Sequence, residues 1–146
     1  MMGGLPGFLA LDWNGTVVPW FGQPPFEGAL EFVRELQAAG VHICVVSHAE
    51  PSQIEADVSR VGLKADEVCG TGNKGGEFDR LQQSRGNGLA IGDTAMDLRA
   101  ALGAGMPFLQ ARLEGQPMME MAHGCINDWA EAPIILRSMA GIFTSA

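Results

Sequence analysis

The first fifteen residues contain no Lys or Arg, so the charged start of a secretory signal or transit peptide is missing. No apolar run approaches the roughly 18 residues of a membrane-spanning helix. Cysteine is scarce: Cys44, Cys69 and Cys125 are far apart and odd in number. They match neither a disulfide framework nor a zinc pattern, which points to a reducing, cytoplasmic setting. Basic residues are scarce too. Nine Lys and Arg against seventeen Asp and Glu leave a net charge of −8. An even cloud of that sign repels nucleic acid and anionic lipid, so neither is expected as a partner. Internal repeats and low-complexity linkers are absent. What is present is a 146-residue chain that is 47% hydrophobic, enough to build a core and short enough to read as one domain, 1–146.

Glycine and proline divide the chain into short segments. Phe8-Leu9-Ala10-Leu11 is too short for a helix and reads as a buried strand ending at Asp12. Phe26, Ala29, Leu30, Val33 and Leu36 recur at helical spacing before Gly40. Val41 to Val46 is a second strand, ending at Ser47. Ser52 with Glu55 has the pattern of a capping box for the next helix. A weaker strand is expected near Asp66 to Cys69, then a glycine-rich loop around Lys74 and a short helix to Gln83. Leu89 to Gly92 is another strand, ending at Asp93. Thr94 and Asp97 form a second capping pattern, and Phe108-Leu109 reads as a fifth strand. Gly115 to Gly124 gives no clear pattern, and Trp129 to Met139 reads as a last helix. His42 is expected in the core or on a sheet face, and Met118, Met119 and Met121 as packing residues. Strands alternating with amphipathic helices imply a three-layer α/β/α, Rossmann-like domain with a mainly parallel sheet of roughly five strands.

Ligands of such sheets bind at the carboxyl ends of the strands. The residues placed there are Asp12, Asn14 and Thr16, then Ser47 and His48, then Asp93 and Asp97, with Lys74 in the preceding loop. Clustered carboxylates call for a cation, and oxygen-only donors favour Mg²⁺. A lysine and a hydroxyl beside them suit phosphate oxygens. The ligand inferred is a phosphate and the reaction phosphoryl transfer, with a carboxylate competent as the nucleophile.

Asp12-Trp13-Asn14-Gly15-Thr16-Val17 after an apolar strand resembles the first motif of the haloacid dehalogenase superfamily. Ser47 resembles the second, Lys74 the third, and Gly92-Asp93-Thr94-Ala95-Met96-Asp97 the fourth. The resemblance spans Phe8 to Phe108, about two-thirds of the chain, and four motifs in order are specific where one is weak. It implies a hydrolase in which Asp12 is the nucleophile and a metal ligand and Asn14 offers its backbone carbonyl to Mg²⁺. Ser47 and Lys74, with Trp13, Asn14 and His48, would hold the phosphoryl group of a small phosphorylated substrate. Asp93 and Asp97 would complete the metal site; Asp97 also fits a plain capping role. Gly15 to Val18 would form a flexible turn and flap. Neither the stretch from Thr16 to Ser47 nor that from Ser47 to Lys74 has room for a cap domain, so the chain resembles the capless class. An open site of that kind is expected to be closed by the Trp20-Phe21 loop, a large substrate or a homo-oligomeric neighbour.

Asn14 departs from the family pattern. Phosphatases of the superfamily usually carry a second Asp there, which serves as general acid and then base. An amide cannot titrate, and acid–base help is typically about 10²–10⁴-fold. Four readings follow: a good leaving group, a substitute such as His48, a weakly active or non-hydrolytic phosphate- or partner-binding module, or deamidation of Asn14-Gly15 to Asp. Dehalogenation by the same aspartate is a further reading, opposed by Lys74 and the Asp93/Asp97 pair.

Overall fold

Phe8–Leu11, four apolar side chains in a row, forms β1, and its register organises everything around it. The computed structural model describes residues 4–144. The remaining strands are β2 (His42–Ser47), β3 (Glu67–Gly70), β4 (Gly88–Gly92), β5 (Phe108–Ala111) and β6 (Gly124–Ile126). They form one sheet in the order β3-β2-β1-β4-β5-β6, and every neighbouring pair is parallel. The helices are α1 (Ala29–Ala38), α2 (Pro51–Arg60), α3 (Lys74–Arg85), α4 (Ala95–Gly103), α5 (Ala132–Ser138) and α6 (Ala140–Phe143).

Successive strand side chains point to opposite faces, and the core divides accordingly. Leu9, Leu11, Ile43, Val45, Leu89 and Ile91 pack with Phe32 and Val33 of α1, Ile54 and Val58 of α2 and Leu136 of α5. Phe8, Ala10, Cys44, Val46, Ala90 and Phe108 pack with Phe78 and Leu81 of α3 and Ala101 of α4. Helices therefore cover both faces, giving three layers. Each fully buried Leu, Ile or Phe contributes roughly 1.5–3 kcal/mol of transfer free energy.

Several boundaries differ from the sequence expectation, each for a local reason. Among the described residues the sheet has six strands. The sixth, Gly124–Ile126, is three residues long and pairs with β5, too short for any periodicity to show. The expected last helix is divided into a 3₁₀ turn at Trp129–Glu131 and α5, with Pro133 in the first turn of α5. Ser52 does not cap: Glu50 is the N-cap residue of α2 and Pro51 holds its start. α1 begins at Ala29 because Gly28, at φ 85°, interrupts the helix before it. Met119 packs against the core, whereas Met118 and Met121 are exposed. His42 lies on the sheet face and pairs with Glu67 at 2.6 Å. Between Thr16 and Ser47 the chain holds a loop, α1 and β2, with no inserted domain. Among the described residues, no helix is long and apolar enough to cross a membrane.

Candidate active site

The strand order reverses between β1 and β4, so their carboxyl ends border the crevice where such sheets take ligands. Leu11 pairs with Ile91, and the Asp12 amide extends that ladder by donating to the Ile91 carbonyl at 3.0 Å. Asp12 and Asp93 thus leave neighbouring strands at the same level. Beyond Asp12 the chain turns back on itself. The Trp13 carbonyl accepts from the amides of Thr16, Val17 and Val18, and Gly15 N–H donates to the Val18 carbonyl at 2.7 Å. Gly15 has φ 80°, and a Cβ there would strike the Asp93 carboxylate, so both the turn and the close approach require glycine. Val17 and Val18 are fully buried, and the Trp129 indole N–H donates to the Thr16 carbonyl at 3.0 Å. The segment expected to be a flexible flap is therefore packed into the core. The Gly15 N–H bond to the Val18 carbonyl occupies the nitrogen that deamidation of Asn14 would need.

Lys74 opens α3, where the sequence suggests a loop. A cation at a helix N-terminus opposes the macrodipole, so this lysine needs negative partners. Two carboxylates supply them: its Nζ lies 2.9 Å from Asp12 Oδ1 and 2.5 Å from Asp97 Oδ1, with the lysine 5% exposed. Asp12 Oδ2 accepts from the Thr16 hydroxyl at 3.2 Å. Asp97 uses its other oxygen as a cap, accepting from Thr94 Oγ1 at 2.9 Å and Thr94 N–H at 3.2 Å. The capping role and the cleft role of Asp97 thus coexist on different oxygens. Asp93 Oδ2 accepts from Gln116 Nε2 at 3.4 Å.

Burial pushes the Asp12 carboxyl up to about 6, against the pull of Lys74 and with a further push from Asp93. Burial and the Asp12 charge raise Asp97. Burial works to lower Lys74, but Asp12 and Asp97 outweigh it and hold it above the usual lysine value. The ammonium is therefore a fixed positive charge at neutral pH. Replacing it leaves two buried carboxylates unpaired, which costs about 3–5 kcal/mol for such groups. Lys74→Met is accordingly expected to lower the unfolding free energy from urea titration at pH 7 by that amount, and the midpoint with it, in metal-free buffer, with Mg²⁺ restoring part of it. A midpoint unchanged from wild type contradicts the pairing.

The set also passes a test as a cation site. One oxygen from each of Asp12, Asp93 and Asp97 can lie within 4.8 Å of the others. Two buried acceptors beside them, Asn14 Oδ1 and Asp93 Oδ1, have no hydrogen-bond partner. Three carboxylates against one ammonium leave negative charge uncompensated, and an all-oxygen donor set suits a hard divalent ion.

These groups line a cleft of about 600 Å³, of the size that takes a small molecule. Ser47, at the end of β2, is buried on its wall. Its Oγ accepts from the Ala49 amide at 3.2 Å, a bond that does not use the hydroxyl hydrogen. His48 is exposed on the same wall. Asn14 lines the cleft as well. Trp13 does not: it is fully buried, and its indole N–H donates to Asp57 Oδ2 at 2.8 Å, so its side chain is turned away from any phosphate. Sequence reasoning missed the loop after β5. There Glu114 lines the cleft, Glu114 N–H donates to Gln116 Oε1 at 3.0 Å, and Gln116 reaches Asp93. Its composition carries no motif, and its place follows only from the β5–β6 pairing.

No protein-family model and no curated protein sequence matches this chain. Solved structures do. The cobalt-bound deoxy-D-mannose-octulosonate 8-phosphate phosphatase of Haemophilus influenzae is 15% identical, with 99% of this chain and 96% of that one covered at a TM-score of 0.72. The 3-deoxy-D-manno-octulosonate 8-phosphate phosphatase of Moraxella catarrhalis, in complex with magnesium, phosphate and the sugar acid, is 12% identical, with 97% and 91% covered at 0.69. A HAD family hydrolase of Deinococcus radiodurans with bound phosphate and sodium is 24% identical, with 84% and 62% covered at 0.66. With a parallel sheet covered on both faces and no domain inserted between β1 and β2, the chain has the fold of the haloacid dehalogenase (HAD)-superfamily hydrolases in its capless form.

Proposed function

We propose that the chain is a Mg²⁺-dependent phosphohydrolase that cleaves a small phosphate monoester through an aspartyl-phosphate on Asp12. One observation carries this reading: Asp12, at the strand-order reversal, shares the buried Lys74 ammonium with Asp97 and lies in one cluster with Asp93. The phosphate and metal ions named with the solved structures of the same fold support it. Asp12 attacks phosphorus, the bond to the ester oxygen breaks, and the leaving alkoxide takes a proton from solvent water. Water then attacks the same phosphorus and frees Asp12 and inorganic phosphate. With its carboxyl near 6, Asp12 is mostly ionised at neutral pH and available to attack.

Lys74 and the Ser47 hydroxyl hold the phosphoryl oxygens, His48 adds a donor at the cleft wall, and Trp13 takes part only through its main chain. The side chains of Asp12, Asp93 and Asp97 and the Asn14 carbonyl would hold Mg²⁺, which when bound neutralises charge on the phosphoryl group. The test is phosphate release from an activated aryl phosphate. EDTA is expected to lower it by about a hundredfold or more, and added Mg²⁺ to restore it. Release untouched by EDTA overturns the metal dependence, and EDTA-insensitive halide release from a haloacid identifies a dehalogenase instead. Asn14 favours a second reading, a phosphate-binding module without turnover. Tight binding of a phosphate analogue with no release of phosphate distinguishes it.

A further inference from the structure

Inside the cleft the charged floor meets a wall of different character: Pro19, Trp20, Phe21 and Met96 share the cavity with Asp12 and Lys74. Trp20 is 61% exposed, a large apolar area left facing water at the mouth of a polar site. Phe21 meets it edge-on, with ring centroids 5.5 Å apart and planes at 69°. This pair is held in place. Gly22, at φ 83°, turns the chain after Phe21, and its N–H donates to Asp57 Oδ1 at 3.0 Å. The Arg60 guanidinium donates to the Gln23 carbonyl at 2.8 Å and grips Asp57 with its Nε at 2.8 Å. Asp57 is itself buried and also accepts the Trp13 indole N–H. One carboxylate on α2 therefore anchors both the residue that follows Asp12 and the loop that presents Trp20. Burial works against that charge, but the donors from Arg60, Trp13 and Gly22 hold the carboxyl below the ordinary aspartate value. The anchor stays ionised and engaged at neutral pH.

We infer that Trp20 and Phe21 form a stacking platform for the leaving group, so that the substrates are phosphate monoesters whose alcohol carries a planar ring. The position of the phosphate rests on the Asp12 reading above; the preference for a ring rests on the wall. Aromatic and prolyl faces with a methionine satisfy a flat apolar surface and give a hydroxyl-rich chain few partners. A cavity of about 600 Å³ has room for a phosphate and a ring system, and a chain of net charge −8 repels a nucleic-acid strand, so the ligand proposed is a small molecule. With no cap to enclose the substrate, a pre-set platform orders the leaving group without closure.

The test compares 2-phenylethyl phosphate with n-butyl phosphate. Both release a primary alkoxide, so the chemistry of the bond broken is matched. Wild type is expected to favour the phenylethyl ester about tenfold in kcat/KM, in line with the loss seen when stacking partners are removed. Trp20→Ala is expected to erase that preference by raising KM about tenfold with kcat within twofold. Trp20→Phe is expected to keep most of it. The residue is exposed, so neither variant threatens the core. Calorimetric binding of 2-phenylethylphosphonate and n-butylphosphonate, which are not cleaved, reads the platform without turnover and is expected to show the same tenfold ratio. Turnover with no ring preference, or a preference that survives Trp20→Ala, overturns the platform and leaves the hydrolase reading intact. No release of phosphate from these esters or from an activated aryl phosphate, with the binding ratio present, overturns the hydrolase reading and supports the platform. A Trp20→Ala protein that sediments as a smaller species with KM unchanged shows that a second copy covers this face, and overturns the platform.

Discussion

Asp12→Asn is expected to reduce phosphate release by roughly 10⁴-fold or more, the scale of loss when a covalent nucleophile is removed. The amide is isosteric, so the substitution tests chemistry rather than shape. Its oxygen can still accept from Lys74, as Asp12 Oδ1 does at 2.9 Å, and the Thr16 hydroxyl can rotate to accept from the new amide N–H. Lys74 also keeps Asp97. The carboxyl of Asp12 stands near 6 because burial and Asp93 disfavour its charge. A neutral group in its place relieves that repulsion, so the metal-free variant is expected to be as stable as wild type or slightly more so. Inactive protein with an unchanged or raised melting temperature is therefore the signature of a lost nucleophile. After brief reaction with labelled substrate, the wild-type label is expected on the peptide containing Asp12. A variant retaining more than a tenth of wild-type activity rules out covalent catalysis at this position.

The central strands were legible because they are buried on both faces and read as unbroken apolar runs, as in Phe8–Leu11 and Gly88–Gly92. The edge strand Gly124–Ile126 was not, because three residues carry no period and its pairing with β5 is set by tertiary packing. The two capping patterns differ in an instructive way. Thr94 and Asp97 make a true capping box. Ser52 and Glu55 share the spacing but not the role, because Pro51 already defines the first turn of α2.

The site shows the same division. Asp12, Ser47 and Asp93 sit at or just beyond strand ends, so a correct strand reading places them together. Lys74 could be singled out by its loop but not assigned partners, since its bonds to Asp12 and Asp97 span 62 and 23 residues of sequence. The resemblance places Trp13 at the phosphate, but its side chain is buried and its indole N–H donates to Asp57 on the core side, a partner 44 residues away in sequence. Gln116 and Glu114 lay in the patternless segment after β5 and around Gly115, and nothing in their spacing could have placed them beside Asp93.

Asn14→Asp is expected to raise turnover on unactivated phosphate monoesters by about 10²–10⁴-fold, the usual range of general acid–base help. Asn14 lines the cleft with its side-chain oxygen buried and unpartnered. A carboxyl in that place joins Asp12, Asp93 and Asp97, and the like charges push its pKa upward. A raised carboxyl retains its proton at a pH where it can give it to the leaving oxygen, then recovers one from water in the second step. The gain should depend on the leaving group. An aryl oxide leaves without help, so an activated aryl phosphate is expected to change little, whereas an alkyl ester is expected to show the full increase. A fourth carboxylate also costs stability in the absence of a cation, and the variant should melt lower than wild type in EDTA and recover with Mg²⁺. Mass measurement of the Asn14 peptide provides the control, because the Gly15 nitrogen is held by the Val18 carbonyl and the wild-type residue is expected to persist as the amide. A variant with no gain on either class of ester means that the native chain already has its acid. His48 and Glu114, the remaining titratable groups on the cleft wall, are then the two positions to replace. A gain confined to alkyl esters means that the natural substrate of a chain carrying Asn14 has a leaving group good enough to depart unprotonated.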